Sequence, residues 1–263
     1  VVLRNFKKSL NSSEGMILVT GPTGSGKTTT LYAGLRHIND NSLNILTVED
    51  PIEYTLEGIG QTQVNNKTGY DFARGLRSIL RQDPDVVMLG EIRDEETARI
   101  AIQSSLTGHL VMSTVHTNSA AGAITRLRDM GIESFLLASS LKTIISQRLI
   151  RRLCNKCKSE SKVSQVAIDL LGLKKGQTVF SAKGCNDCDG TGFKGRIAIA
   201  ESIQVGTVLK DMIHDEASEQ DIQNVAFKDI QTIDQIGSEL LTKGLTSPEE
   251  LIRINNQKEN ASV

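Results

Sequence analysis

The sequence predicts an α/β fold with a mostly parallel sheet, because short apolar runs alternate with helix-length amphipathic stretches over residues 16–118. The chain has 263 residues, of which 38% are hydrophobic, so it is long enough for one large domain or two smaller ones. Strands are predicted at residues 16–20, 45–48, 86–89 and 110–113. Helices are predicted at residues 27–38, 70–81 and 94–106, and residues 120–145 are expected to form two helices that break around Gly131.

The C-terminal part of the sequence is predicted to be helical and acidic. Residues 147–153 are expected to form a strand or a helix end that leads into a cysteine-rich module. A final helix is predicted to begin at Ser247, where the serine caps the helix and Pro248 takes its first position. Glu250 is expected to complete a capping box with that serine.

The overall composition weighs against nucleic acid as the main ligand. Lys and Arg total 30 against 31 Asp and Glu, and aromatic residues make up 3% with no Trp, so both a positive field and base-stacking platforms are scarce. No run of about 18 apolar residues occurs, and the N-terminus lacks the apolar core of a signal peptide. A soluble intracellular protein is therefore expected.

The net charge of −1 is a cancellation between three segments. Residues 1–153 carry 17 basic and 15 acidic side chains, residues 154–196 carry 8 and 4, and residues 201–263 carry 5 and 12. Segregated charge of this kind favours contacts with subunits or partners.

Residues 21–28 form a glycine-rich loop with the spacing G-x-x-x-x-G-K-[ST], between a predicted strand and a predicted helix. Glycines let successive backbone N–H groups converge on phosphate oxygens, and the helix N-terminus adds partial positive charge. Lys27 is expected to reach the β and γ phosphates, and the Thr28 hydroxyl to bind Mg²⁺. The candidate nucleotide-binding residues are Gly21, Pro22, Thr23, Gly24, Ser25, Gly26, Lys27, Thr28 and Thr29.

Two acidic positions follow predicted strands. Glu91 lies two residues beyond the apolar run of residues 86–89. This arrangement places a carboxylate beside Mg²⁺. An exposed glutamate at a strand end is the alternative, because it has the same pattern. Glu49, Asp50 and Glu53 follow the strand at residues 45–48, and one of them is expected to polarise the attacking water. Spacing alone does not choose among these three, and a plain acidic turn is the alternative.

The four cysteines form two Cys-x-x-Cys pairs, which predicts a structural Zn²⁺ site with no open coordination position. Redox chemistry is the rival interpretation, but two pairs are hard to explain in that way. A short helix is expected within residues 160–175, between the pairs. The predicted ligands are Cys154, Cys157, Cys185 and Cys188.

A basic run leads into the cysteine module. It suits nucleic acid, acidic lipid headgroups or a partner protein, and a solvated face is an equally good interpretation. Its members are Arg148, Arg151, Arg152, Lys156 and Lys158.

Three stretches resemble motifs of the secretion-superfamily ATPases. Residues 45–53 resemble the Asp box, residues 74–94 contain a stretch similar to Walker B, and residues 108–118 resemble the His box. The sequence resembles the GspE class of type II secretion, with the pilus extension ATPases of the PilB class also similar. The resemblance covers nearly the whole chain, including the cysteine module, which the retraction ATPases lack.

This resemblance implies a RecA-like P-loop NTPase core and assigns roles to individual residues. Glu53 becomes the general base and Glu91 the acid on the Mg²⁺ side. His109 and His116 are expected to couple the nucleotide site to neighbouring subunits, whereas without the family both histidines would be interpreted as polar packing residues. Together with Lys27 these residues form the predicted catalytic set.

The resemblance also implies cofactors, partners and location. ATP, Mg²⁺ and Zn²⁺ are the expected cofactors, and the expected partners are further copies in a hexameric ring and platform proteins of the inner membrane. We expect a cytoplasmic protein that associates peripherally with the bacterial inner membrane and binds no nucleic acid. The sequence resembles the C-terminal half of such ATPases, so slow turnover is expected without the arginines that the other half supplies.

Three segments and four candidate functions follow from these patterns. The predicted segments are a nucleotide-binding ATPase domain at residues 1–153, a tetra-cysteine module at 154–196 and an acidic helical region at 197–263. The favoured function is a motor for assembly of a type II secretion pseudopilus, with pilus extension as a close alternative. A nucleic-acid motor and a non-hydrolysing nucleotide switch are alternatives of other classes.

Overall fold

The structure is a computed structural model that describes residues 1–40 and 42–259, with side chains as far as Asn255. It divides into two compact units. The first contains residues 1–146 and 201–230, and the second contains residues 147–200 and the described residues from 231 onward. In the described part of the chain no helix is both long and apolar enough to cross a membrane.

Helices and strands alternate over the first half of the chain, as the sequence predicts. In chain order the elements are α1 Val2–Leu10, β1 Gly15–Thr20, α2 Lys27–Ile38, β2 Ile45–Glu49, β3 Gly60–Gln63, α3 Phe72–Ile79, β4 Val86–Leu89, α4 Glu95–Leu106, β5 Leu110–Val115, α5 Ala120–Asp129, α6 Ser134–Ser140 and β6 Leu141–Leu153.

The remaining elements include a two-stranded antiparallel sheet, formed by β7 and β8, and four helices near the C-terminus. They are β7 Ser159–Lys162, α7 Gln165–Leu171, β8 Thr178–Ser181, β9 Phe193–Gln204, α8 Thr207–His214, α9 Glu219–Ala226, α10 Ile233–Thr242 and α11 Pro248–Glu259.

The main sheet has the strand order β3-β2-β4-β5-β1-β6-β9. β1 pairs in parallel with β5 and β6, and β2 with β3 and β4, which confirms the predicted mostly parallel sheet. Thr20 pairs with Val115 and Val48 with Leu89, so the chain leaves four neighbouring strands at the same carboxyl edge. The side chains of β1, β4 and β5 are buried throughout, as expected for central strands with helices on both faces.

Two predicted elements have other bounds in the structure. The predicted helix pair at residues 120–145 does break around Gly131, but residues 141–145 belong to β6 because Leu141, Ile144 and Ile145 are buried in the sheet. The helix predicted at residues 70–81 is α3, shortened to eight residues and followed by a 3₁₀ turn at Leu80–Gln82.

The capping box predicted at the start of the last helix does not form. α11 begins at Pro248 as expected, but the Ser247 hydroxyl has no hydrogen-bond partner among the described residues. The Glu250 carboxylate is fully buried and instead accepts hydrogen bonds from Arg151 and Arg253. Glu250 is therefore bound by Arg151, 99 residues away in sequence, and does not take part in a cap with Ser247.

The two units cut across the three predicted segments. β6 and β9 each pass from one unit into the other, after residues 146 and 200 respectively. The acidic C-terminal region is divided as well. α8 and α9 pack in the core of the first unit through Leu209, Ile213 and Ile222, whereas α10 and α11 contribute to the core of the second.

Candidate functional site

The glycine-rich loop lies between β1 and α2, at the carboxyl edge of the sheet. Gly21, Gly24 and Gly26 have positive φ angles of 146°, 76° and 85°, and the left-handed region suits glycine because it has no Cβ. Gly26 is the N-cap of α2 and has no side chain that would occupy the N–H groups of the first turn. The loop therefore presents backbone N–H groups and the positive end of a helix dipole to an anion.

Lys27 is buried and braces the loop from within. Its side-chain amine donates to the carbonyl oxygens of Gly21 at 2.9 Å and Pro22 at 3.1 Å. Thr28, half-buried, and Thr29, exposed, follow it on the first turn of α2. The predicted nucleotide-binding residues are thus contiguous around one anion-binding loop.

Glu91 lies at the same edge, just beyond β4. The backbone around it is anchored on both sides, since the Gly90 N–H donates to the Val48 carbonyl at 2.8 Å and the Ile92 N–H to the Thr114 carbonyl at 2.9 Å. The Glu91 side chain is only 14% exposed. The structure thus holds a mostly buried carboxylate at this strand end, and its place beside bound phosphates stays a prediction.

His116 and Arg93 both contact the Glu91 carboxylate. The His116 Nε2 atom is 3.3 Å from Glu91 Oε2, and the Arg93 guanidinium forms an ion pair with Glu91 Oε1. Burial, followed by the positive charge of Lys27, lowers the pKa of His116, although Glu91 opposes the shift. The structure therefore brings Lys27, Glu91 and His116 together, with His116 neutral at pH 7.

The structure separates the three acids after β2. Glu49 is 2% exposed and accepts hydrogen bonds from Tyr32, from Thr47 and, at 3.1 Å, from Gln61. Asp50 and Glu53 are exposed. Glu49 is thus held by hydrogen bonds within the fold. Asp50 and Glu53 are the two exposed carboxylates that remain candidates for a general base.

His109 does not join this cluster. It precedes β5 and its Nδ1 atom lies 3.0 Å from the Ser104 carbonyl oxygen, whereas His116 follows the last residue of β5. A strand of this length spans about 20 Å, so the two histidines lie at opposite edges of the sheet. The structure therefore does not place His109 beside the phosphate loop, and its expected part in coupling to a neighbouring subunit stays a prediction.

The arginines at positions 74, 77 and 81 are all exposed. Arg77 forms an ion pair with Glu96, and Arg74 donates to the Gly69 carbonyl at 3.4 Å. Nothing in this arrangement directs them at the phosphate loop.

The four cysteines form one cluster in the second unit, and their Sγ atoms all lie within 4.8 Å of one another. The Sγ atoms are 3.9 Å apart for Cys154 and Cys185, and 3.7 Å for Cys188 with both Cys157 and Cys185. Sulfur atoms around a tetrahedral Zn²⁺ with bonds of about 2.3 Å are about 3.8 Å apart, so the spacing fits that ion.

Backbone groups prepare the cluster for a metal cation. Burial opposes ionisation of Cys188, but N–H donors of Cys185 and Gly192 outweigh it and lower the pKa of Cys188 to about 7. Gly184 shapes the second Cys-x-x-Cys loop, since its φ is +96° and a Cβ there would lie 2.3 Å from the Gly190 carbonyl oxygen. The chemistry and spacing of the donors both suit a structural metal.

The basic run before the cysteines is mostly engaged within its own unit. Arg148 is buried and donates to the Gln147 carbonyl, and Arg151 pairs with the Glu250 carboxylate. Lys156 forms an ion pair with Asp187 at 2.9 Å, and Lys158 donates to the Gly244 carbonyl at 2.8 Å. These contacts favour a structural role for the run over an open nucleic-acid surface.

Sequence reasoning missed two residues of the site. Arg93, two residues beyond Glu91, was open to detection because a basic residue so close to a strand-end acid can pair with it. Tyr32, whose hydroxyl bonds Glu49, left no such signal, since its partner lies 17 residues away on another element.

The parallel sheet, the phosphate loop and the adjoining strand-end acid define a P-loop nucleotide-binding protein with a RecA-like core. A sequence model of the family described as Type II/IV secretion system protein matches residues 2–253, and the chain belongs to this family.

The chain is similar to curated proteins of type II secretion systems. The type II secretion system ATPase E of Vibrio cholerae is 52% identical over 255 residues, which are 96% of this chain and 51% of that protein. The type II secretion system protein E of Pseudomonas aeruginosa is 53% identical over 253 residues, 95% of this chain and 50% of that protein. The chain thus spans about half the length of the curated relatives it matches.

Solved structures share the fold. The pilus retraction motor PilT, determined with bound ADP, is 31% identical with a TM-score of 0.70, and the match covers 94% of this chain and 63% of that one. The ATPase DotB of Legionella pneumophila has a TM-score of 0.71 at 22% identity, covering 97% of this chain and 63% of that one, a likeness that shows the fold alone.

Proposed function

We propose that this chain binds ATP with Mg²⁺ and hydrolyses it, as the motor part of a type II secretion ATPase that drives pseudopilus assembly. The observation that carries the proposal is the meeting of Lys27, Glu91 and His116 at the edge where the phosphate loop opens. The similarity to type II secretion proteins of two species supports the choice of process.

Each residue at this edge has a proposed task. The loop N–H groups and Lys27 bind the phosphates, and the Thr28 hydroxyl and the Glu91 carboxylate hold Mg²⁺. When bound, the ion neutralises charge that develops on the phosphate oxygens. Glu53, exposed on the loop after β2, accepts a proton from the attacking water.

His116 has a proposed positioning task beside these groups. Its neutral imidazole can donate a hydrogen bond to Glu91 and so orient that carboxylate. The family resemblance further assigns it a part in coupling to a neighbouring subunit. His109, at the opposite edge, retains only that resemblance as support.

The test of hydrolysis compares Glu53→Gln with the unaltered chain. The amide keeps the size of the side chain and removes its basicity, so the hydrolysis rate is expected to fall by about 100-fold or more while affinity for a non-hydrolysable ATP analogue changes little. Glu57→Gln, an exposed glutamate in the same loop, is the matched control. An unchanged rate in Glu53→Gln would remove Glu53 as the base and leave Asp50 as the candidate.

We also propose that the cysteine cluster binds one structural Zn²⁺. The sulfur spacing and the backbone N–H donors to Cys188 support this choice of metal. Four thiolates leave no open position, so the ion stabilises loops and takes no part in hydrolysis.

The proposed working form is a ring of six copies on the cytoplasmic face of the bacterial inner membrane, bound there to platform proteins. Family membership supports this arrangement. If copies complete each other's sites, the hydrolysis rate per chain rises with protein concentration. A rate per chain that is independent of concentration would contradict the ring proposal.

A further inference from the structure

One face of α2 grips the loop that carries Glu53. Tyr32, Arg36 and Asn39 are spaced four and three residues apart and so lie on the same side of the helix. The Tyr32 and Tyr54 rings meet edge to face with centroids 4.8 Å apart, and the Arg36 guanidinium lies 5.4 Å from the Tyr54 ring centroid. Asn39 Nδ2 donates to the Glu57 carbonyl at 2.9 Å. The helix therefore contacts this loop at three successive points.

The Tyr32 hydroxyl is the buried centre of this contact. It donates to the Glu49 carboxylate and accepts from Gln61 Nε2 at 3.2 Å. A single phenol oxygen thus joins α2, the end of β2 and β3.

Gln61 holds the same loop from β3. Its Oε1 atom accepts from the Leu56 N–H at 2.7 Å, and its Nε2 atom donates to the Tyr54 carbonyl at 3.2 Å and to Glu49 at 3.1 Å. The buried carboxylate of Glu49 is shared by Tyr32 and Gln61, so the two supports form one hydrogen-bond network. Loss of one donor leaves a buried charge poorly satisfied, which loosens the other support.

The helix that carries Tyr32 begins at the phosphate loop. Tyr32 is five residues beyond Lys27, a distance of about 7.5 Å along the axis. A short α-helix moves as a rigid element over such a distance, so the position of the phosphate loop and that of the loop after β2 are linked through the contacts of this helix.

We propose that Tyr32 is a positioning residue that holds the loop of residues 50–59, and with it Glu53, in place relative to the phosphate-binding end of α2. The inference rests on the proposed function of Glu53. Tyr32 itself need touch neither nucleotide nor water, because it acts through the Tyr54 ring and the carboxylate of Glu49.

Amide hydrogen exchange tests the holding of the loop without any need for hydrolysis. In Tyr32→Phe, which removes only the hydroxyl, amides of residues 50–59 are expected to exchange about tenfold faster or more, while those of β5 stay protected. Tyr70→Phe, the same change at a tyrosine outside the network, is the matched control. Unchanged exchange over residues 50–59 in Tyr32→Phe would overturn the proposal.

A second variant keeps the test valid if Tyr32→Phe fails to fold. Tyr54→Leu removes the exposed ring that meets Tyr32 and Arg36 and leaves the buried network of Glu49 in place. Exchange over residues 50–59 is expected to rise in this variant as well. Unchanged amide exchange over residues 50–59 in a folded Tyr54→Leu protein would show that α2 does not hold this loop.

A double-mutant cycle in hydrolysis tests whether Tyr32 acts through Glu53. Tyr32→Phe is expected to lower kcat about tenfold with KM and analogue affinity within about twofold, and to have no further effect in a Glu53→Gln background. Losses that multiply in the double variant would show an independent role and overturn the proposal. If Glu53→Gln alone leaves the rate unchanged, the proposed base is wrong, and the exchange data alone decide whether Tyr32 holds the loop.

Discussion

His116 Nε2 lies 3.3 Å from a carboxylate oxygen of Glu91, and these residues follow two neighbouring parallel strands, β5 and β4. The contact exists because parallel strands deliver the residues after their carboxyl ends to one edge. Because Thr20 at the end of β1 pairs with Val115 at the end of β5, the same edge includes the phosphate loop. An acid, a neutral imidazole and an amine thus surround the space where a nucleotide is expected.

Replacement of Glu91 by Gln is expected to lower Mg²⁺-dependent hydrolysis by about 100-fold. The variant keeps the side-chain volume but loses the charge that pairs with Arg93 and would hold the ion. Affinity for an ATP analogue in the absence of Mg²⁺, measured by calorimetry, is expected to stay close to that of the unaltered chain. Glu96→Gln on α4 is the control, and equal rates in the Glu91 and Glu96 variants would refute the assignment.

Replacement of Lys27 by Ala is expected to weaken binding of an ATP analogue by about 100-fold. The variant loses the cation that we propose binds the phosphates and two hydrogen bonds that brace the loop. Lys8→Ala, an exposed lysine on α1, is the control. Titration calorimetry on both proteins checks this, and similar affinities would mean that the loop binds no phosphate.

The purified chain is expected to contain about one Zn²⁺, and Cys188→Ser to lose it, because three thiolates cannot complete the tetrahedral site. Mass spectrometry of metal content measures the difference. Asp187→Asn breaks the ion pairs with Lys156 and Lys194 but keeps all four sulfur ligands, so it should retain the metal. Full metal content in Cys188→Ser would exclude this cluster as the site.

Replacement of Glu250 by Gln is expected to lower the free energy of unfolding by about 3 kcal/mol at neutral pH. Burial opposes ionisation of this carboxyl, but hydrogen bonds from Arg253 and Arg151 outweigh it and lower its pKa to about 2 from the ordinary 4.5. A depressed pKa means that the stabilisation is fully present above about pH 4.5 and is lost as the pH falls toward 2.

Urea unfolding at several pH values checks this dependence. The difference between the unaltered chain and Glu250→Gln should be largest near neutrality and shrink in acid. Glu249→Gln, the exposed neighbour, should change stability little at any pH. A loss in Glu250→Gln that is the same at pH 3 and pH 7 would show that the carboxylate charge is not its source.

Local patterns were sufficient for much of the nucleotide edge. The glycine spacing and the apolar run before it predict both the loop and α2, whose bounds of Lys27 and Ile38 agree with the prediction. Glu91 was found for the same reason, since a strand end and its acid are adjacent in sequence. Long-range pairing explains what was missed. Leu141, Ile144 and Ile145 are apolar at spacings that suit helix or strand, and only β1 beside them decides for strand.

Burial of charge was the other feature that the sequence could not supply. The sequence alone does not distinguish Glu49 from Asp50 and Glu53. In the structure Glu49 is the buried one of the three, and it accepts hydrogen bonds from Tyr32, Thr47 and Gln61. Glu250 has the spacing of a capping residue, but its carboxylate accepts a hydrogen bond from Arg151 instead. In each case the deciding partner lies on a different element, so the choice depends on tertiary contacts.

The passage of β6 and β9 between the two units has a practical consequence for dissecting this protein. The chain crosses from one unit to the other near residues 146, 200 and 230, so neither unit is a continuous stretch of sequence. A single proteolytic cut or a simple truncation cannot release either of them whole. To obtain the nucleotide-binding unit alone, residues 147–200 must be replaced by a short linker and the chain ended near residue 230.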